Sequence, residues 1–131
     1  MDTTTNYNLK KPSTTDFYNI EDFNDNADII DQQMKTNADN IAKIVAIKTA
    51  TITTTWVGSS APYTQEVTVA GITADDEPII SPVYSATLAT ALLEKEAWNQ
   101  IGKIETGTNK ITITCFEDKP ITAIPIQIKG V

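Results

Sequence analysis

Asp75, Asp76 and Glu77 stand side by side ahead of Pro78, the densest set of carboxylates in the sequence. Grouped carboxylates hold divalent cations or flank a glycosidic bond as an acid and base pair. Neighbours within one turn do not face each other across a substrate, and Gly71 and Pro78 mark this stretch as a solvated surface turn. A second series, Asp22, Asp25, Asp28 and Asp31, recurs at every third residue. An EF-hand needs a glycine at its turn and a closing glutamate in a loop, so these four read as a solvated helix face. Cys115 is the single cysteine and there is no histidine. Ser-His, Cys-His and Zn-His chemistry is therefore excluded, as are an intrachain disulfide and any C-x-x-C motif. Cys115 reads as a small apolar strand residue. No catalytic, metal or cofactor residue is assigned, and an acidic glycosidase built on Asp75, Asp76 and Glu77 is the weakest of the readings considered.

Aromatic rings offer the remaining chemistry. Trp56, Tyr63, Tyr84, Trp98 and Phe116 supply faces that stack on a pyranose or fill a small core. Trp56 and Tyr63 flank the loop Gly58-Ser59-Ser60-Ala61-Pro62 and are the candidates for facing a ligand, a glycan being the class that suits them. A net charge of -7 and a pI near 4.4 argue against nucleic acid and anionic lipid as partners. The opening Met1-Asp2-Thr3-Thr4-Thr5 has neither the basic nor the apolar region of a signal peptide, and no stretch approaches a membrane span. Synthesis and folding in the cytosol, without membrane insertion, is the expectation.

The elements that position these groups follow from periodicity. Ile20, Phe23, Ala27, Ile30, Met34, Asn37, Ile41 and Ile44 are spaced by alternating steps of three and four, with Ile20, Ala27, Met34 and Ile41 at a and Phe23, Ile30, Asn37 and Ile44 at d of a heptad. No second long amphipathic helix is present to cover so narrow a stripe, so it asks for copies of itself. The flanking e and g positions, Asn24, Asp31, Ala38 and Val45 with Asn26, Gln33, Asn40 and Ile47, lack the opposite charges that zip parallel dimers. The apolar face widens toward Val45 and Ile47, which favours more than two strands or a dock on a β domain, and Asn37 at d is a register device. The alternative is an ordinary amphipathic helix lying on its own β domain.

Three regions result: an arm over 1–19, a coiled-coil stalk over 20–48 and a β head over 49–131. Tyr7, Leu9, Pro12, Phe17 and Tyr18 give the arm more apolar and aromatic content than a free tail carries, so it is expected to be mobile alone and to fold against a partner. Asn19 is the expected N-cap of the helix, with Glu21, Asp22 and Asp25 in the first turns complementing its dipole. Period-two, β-branched stretches predict strands at 51–57, 66–70, 78–84, 101–106, 110–116 and 121–128, interrupted by a helix over 86–98 with Ser85 as cap. Gly107-Thr108-Asn109 reads as a hairpin loop, and Pro125 places the last strand at an edge or a bulge. The fold class is α+β: an extended arm and a trimeric coiled-coil helix, then a small antiparallel β-sandwich-like head with one short helix.

The stretches Asn6-Tyr7-Asn8-Leu9-Lys10-Lys11-Pro12 and Asp16-Phe17-Tyr18-Asn19-Ile20-Glu21-Asp22-Phe23-Asn24-Asp25-Asn26-Ala27-Asp28-Ile29-Ile30-Asp31 resemble the N-terminal region of tail-fibre proteins of phages, prophages and phage-tail-like particles of clostridia and related Firmicutes. Pro62-Tyr63-Thr64-Gln65, Val67 to Asp76, Glu96-Ala97-Trp98, Ile104-Glu105-Thr106-Gly107 and Cys115-Phe116-Glu117-Asp118-Lys119-Pro120 resemble their terminal domain. The resemblance implies a homotrimeric virion component, made in the host cytoplasm, whose arm inserts into other virion proteins and whose head projects toward a host surface. The short length suits a short tail fibre or baseplate-associated fibre. A capsid or baseplate decoration protein without receptor contact, or a carbohydrate-binding module, is the alternative.

Overall fold

A computed structural model describes residues 1–131, and the chain divides into two units, Met1–Ala42 and Lys43–Val131. It is an α+β chain with one long helix and antiparallel sheets. The first unit opens with a small hairpin, β1 (Asp2–Thr3) paired with β2 (Lys10–Lys11). Asn8 closes its loop in the left-handed region at φ 54°, and the Asn8 N–H donates to the Thr4 carbonyl at 3.0 Å. Helix α1 (Ile20–Val45) follows and is about 39 Å long at about 1.5 Å per residue. Asn19 precedes it, and Asn19 Oδ1 accepts the Glu21 N–H at 3.0 Å, so one of the free amides of the first turn is satisfied.

The second unit carries β3 (Ile47–Ile52), β4 (Tyr63–Thr68), β5 (Ile79–Pro82), α2 (Leu88–Asn99), β6 (Lys103–Gly107), β7 (Lys110–Cys115) and β8 (Ile124–Lys129). Two three-stranded antiparallel sheets form, in the orders β3-β8-β5 and β4-β7-β6. Isoleucines at alternate positions of β7 and β8 point to one side, so Ile111, Ile113, Ile124, Ile126 and Ile128 are fully buried together with Ile52 of β3. Val69, Ile72, Ala97 and Val131 complete this core, with Trp56, Val67, Ile80 and Ile104 packed against it, so both sheets face one hydrophobic interior.

All six expected strands are present with shifted ends, and the ladder opens earlier than the pattern suggested. The helix stops at Val45 and Ile47 already pairs with Lys129, because alternation in Ile47–Ile52 matches β8 residue for residue. The expectation for Pro125 is corrected. It lies in β8, the central strand of its sheet, opposite Thr51. The N–H and C=O of one residue point to the same side of an antiparallel strand. The Pro125 carbonyl accepts the Val83 N–H at 2.8 Å, so the side lacking a donor lies just past the end of β5, where no ladder bond is lost. The expected cap of α2 is corrected too. Thr87 occupies the N-cap position without a side-chain bond, and Ser85 instead donates from its N–H and Oγ to the buried Glu94 carboxylate, at 2.7 Å each.

Candidate interaction surfaces

Nothing in the first unit covers the heptad seam. Asp22 is the single buried residue of α1, while Ile20, Phe23, Ile30, Met34, Ile41 and Ile44 expose between 45% and 66% of their surface, and Ala27 and Asn37 are exposed as well. Burying a large apolar side chain is worth about 1.5–3 kcal/mol. Leaving six of them in water forgoes on the order of 10 kcal/mol, comparable with the whole stability of a small domain. Packing within the first unit therefore leaves this stripe largely uncovered.

The arm is not a free tail. A pair of two-residue strands is marginal by itself, and three side chains of α1 hold it. Lys10 N–H donates to Asn26 Oδ1 at 2.7 Å, and Asn26 Nδ2 returns a bond to the Lys10 carbonyl at 2.9 Å, so the amide stands where a neighbouring strand would. The Lys10 ammonium lies 2.6 Å from Asp22 Oδ1 and 2.7 Å from Asp25 Oδ2. Those hydrogen bonds, Asp22 first, hold the lysine well above its ordinary pKa. The expectation that this aspartate series is simply solvated is corrected at Asp22 and Asp25. Asp22 and Asp25 are anchor points for β2, and Asp22 keeps only 9% of its surface.

The arm's apolar residues divide into two sets. Leu9 is partly buried in the hairpin, where its N–H meets Thr4 Oγ1 at 2.9 Å, and Tyr7 borders a groove with Ile30, Met34 and Asn37. Pro12, Phe17 and Tyr18 remain outside. Phe17 is 96% and Tyr18 83% exposed, and they border a second groove with Pro12, Asp22 and Phe23.

In the second unit, Trp56 and Tyr63 do not form one platform. Trp56 packs on the core and its indole N–H donates to the Pro120 carbonyl at 3.2 Å, whereas Tyr63 lines a cleft of about 370 Å³ together with Leu93, Glu96, Gln100, Asp118 and Lys119. Lys119 Nζ sits 4.9 Å from the Tyr63 ring centroid, a cation on the face that a sugar would use. The carboxylates of Glu96 and Asp118 and the amide of Gln100 are groups suited to hydroxyls. The acidic turn is engaged otherwise: Asp76 accepts from Lys43 Nζ at 2.9 Å, Thr73 N–H at 2.8 Å and Thr73 Oγ1 at 3.0 Å. These bonds, that from Lys43 first, lower its pKa from the ordinary value.

Gln65 and Glu94 escaped the reading of the sequence. Gln65 is buried in β4, where Oε1 accepts the Thr53 N–H at 2.7 Å and Nε2 donates to the Thr53 and Thr55 carbonyls. A polar residue at an inward position of an alternating strand was the available signal. Cys115 is fully buried, and desolvation pushes its thiol pKa up, away from reactivity. No helix is long and apolar enough to cross a membrane. No family model matches the chain, and no curated protein or solved structure shows significant similarity to it.

Proposed function

We propose that the chain is a non-enzymatic structural subunit of a phage virion, a short trimeric tail fibre or baseplate-attached fibre. The observation that carries this reading is the uncovered seam of α1, a heptad stripe whose burial needs further copies of the same helix. Three copies form a coiled coil through Ile20, Phe23, Ala27, Ile30, Met34, Asn37, Ile41 and Ile44, and each supplies one β-sandwich-like head. Weak contacts by three heads to a host surface add through multivalency. Phe17 and Tyr18, aromatic and almost fully exposed, are the side chains best suited to enter a groove of another virion protein. The resemblance of the quoted stretches to tail-fibre proteins points the same way.

Sedimentation equilibrium on the full chain tests it. The expected mass is three times the 14.3 kDa of one chain; a monomer at micromolar concentration overturns the fibre reading. The Tyr63 cleft favours a second reading, a carbohydrate-binding module, for which binding on a glycan array and its loss in Tyr63→Ala are the checks.

A further inference from the structure

Besides the buried Asp22, three residues of α1 are withdrawn from full exposure, Asn26, Ile29 and Gln33, and the four follow one another in steps of four, three and four. They hold the c and g positions of the heptad, which run along the side of the seam that carries Phe23, Ile30 and Asn37 at d. The hairpin covers them. Lys10 binds Asp22 and Asn26, and Tyr7 borders a groove of about 180 Å³ with Ile29, Ile30, Gln33, Met34 and Asn37. The arm therefore lies along one flank of the seam and leaves the other bare. Resting on the trimeric reading above, we propose that this groove is an intersubunit site, closed by helix α1 of a second copy of the chain, and that Tyr7 is part of the trimer interface.

The occupant follows from residues that the groove and the seam share. Ile30, Met34 and Asn37 line the groove and are also seam positions, so a helix seated on the seam at these layers meets Tyr7 beside them. Identical helices around a threefold axis run parallel, and the g flank of each then faces the e flank of the next. Tyr7 and Gln33 stand on the g flank. The e row that comes opposite is Asn24, Asp31, Ala38 and Val45, which has no long side chain to fill the space the hairpin takes. In this register Ala38 of the partner subunit lies across from Gln33, and its small side chain leaves room for a phenol ring. Tyr7 still exposes 49% of its surface in the single chain, so the partner has aromatic area left to cover. Ile29 fits the same arrangement. An isoleucine at c contributes nothing to a bare a/d seam, yet here it is half-buried in the groove that Tyr7 borders.

Disulfide trapping on the full chain is the test, with the buried Cys115 left in place. Tyr7→Cys combined with Ala38→Cys gives covalent dimers and trimers under mild oxidation, because each Tyr7 position meets the Ala38 position of the next copy. Within one chain the two stand on opposite flanks of the seam, so the bond forms between copies. Either substitution alone gives no covalent trimer. Tyr7→Ala leaves the Lys10 and Asn26 bonds of the hairpin in place and raises the concentration at which the trimer half dissociates by about tenfold or more, as for an aromatic at the centre of an interface. A double-cysteine chain that sediments as a trimer but yields no cross-linked species overturns the intersubunit groove, leaves it open to another protein, and leaves the trimer standing. A wild-type chain that is monomeric at micromolar concentration overturns both.

Discussion

Lys10 reaches twelve positions along the chain to place its ammonium 2.6 Å from Asp22 Oδ1 on the first turns of α1. That pair, together with the Asn26 amide on the Lys10 backbone, turns a segment with no core of its own into part of the helical unit. The consequence is a division of labour within the arm. The hairpin of its first eleven residues is fastened to the helix, and Phe17 and Tyr18 carry the most exposed aromatic surface.

Asn26→Ala removes two neutral hydrogen bonds to Lys10, each worth about 1 kcal/mol. Amide exchange over residues 2–11 should accelerate, and more so in the Asn26→Ala, Lys10→Ala double variant, while the helix stays protected. Unchanged exchange in the double variant would show that the hairpin holds by other contacts.

The ion pair of Lys43 and Asp76 predicts a pH dependence for the second unit. Asp76 has a folded pKa below its ordinary value of 3.8, so its contribution is present above that value and is lost as pH falls through the folded one. Melting curves should therefore drop more steeply below about pH 4 for the wild type than for Asp76→Asn. Parallel curves would deny the pair any role. For Lys10 the sign is opposite. Its raised pKa leaves the contribution fully present below 10.5, so the hairpin should be insensitive to pH around neutrality on the lysine's account.

Glu94 is buried and takes both bonds from Ser85, and α2 has no side-chain cap to replace them. Glu94→Ala should cost about 1.5–3 kcal/mol. For a domain of this size that lowers Tm by roughly 6–20 °C in calorimetry. A Tm within a degree of wild type would mean that the Ser85 turn finds water without penalty.

Replacing Ile30 and Ile41 together with Asp should put like charges at two layers of the seam and return a monomer in sedimentation. The melting of the second unit should stay within a few degrees, since neither residue belongs to its core. A variant that stays trimeric would locate the interface elsewhere.

Much of this architecture is legible in one sequence because isoleucine alternation is unambiguous. The inward sets of β7 and β8 are written as every second residue of Lys110–Cys115 and Ile124–Lys129. The spacing of Ile20, Phe23, Met34 and Ile41 gives the long helix as plainly, and Asn19 marks where it begins. What escaped depends on partners far along the chain. Asp22 looks like any other member of an acidic series until Lys10 is beside it, and β1 and β2 are too short to show a period. Pro125 misleads for a related reason. A proline forbids a donor on one side only, and whether that side carries a ladder bond depends on where β5 ends. Trp56 and Tyr63 sit close in sequence, yet one faces the core and the other a cleft, because the connection between them reverses the chain.

The sealed position of Cys115 gives the chain a clock. It is the single sulfhydryl and has no exposed surface in the closed fold, so an alkylating reagent can reach it only when β7 comes away from its neighbours. The rate at which label accumulates under native conditions then reports the opening of the sheet, event by event where the reagent outpaces reclosing, free of background from any second thiol. Through that one sulfur, the lifetime of the β fold can be followed while the chain is held at any concentration or mounted in any assembly.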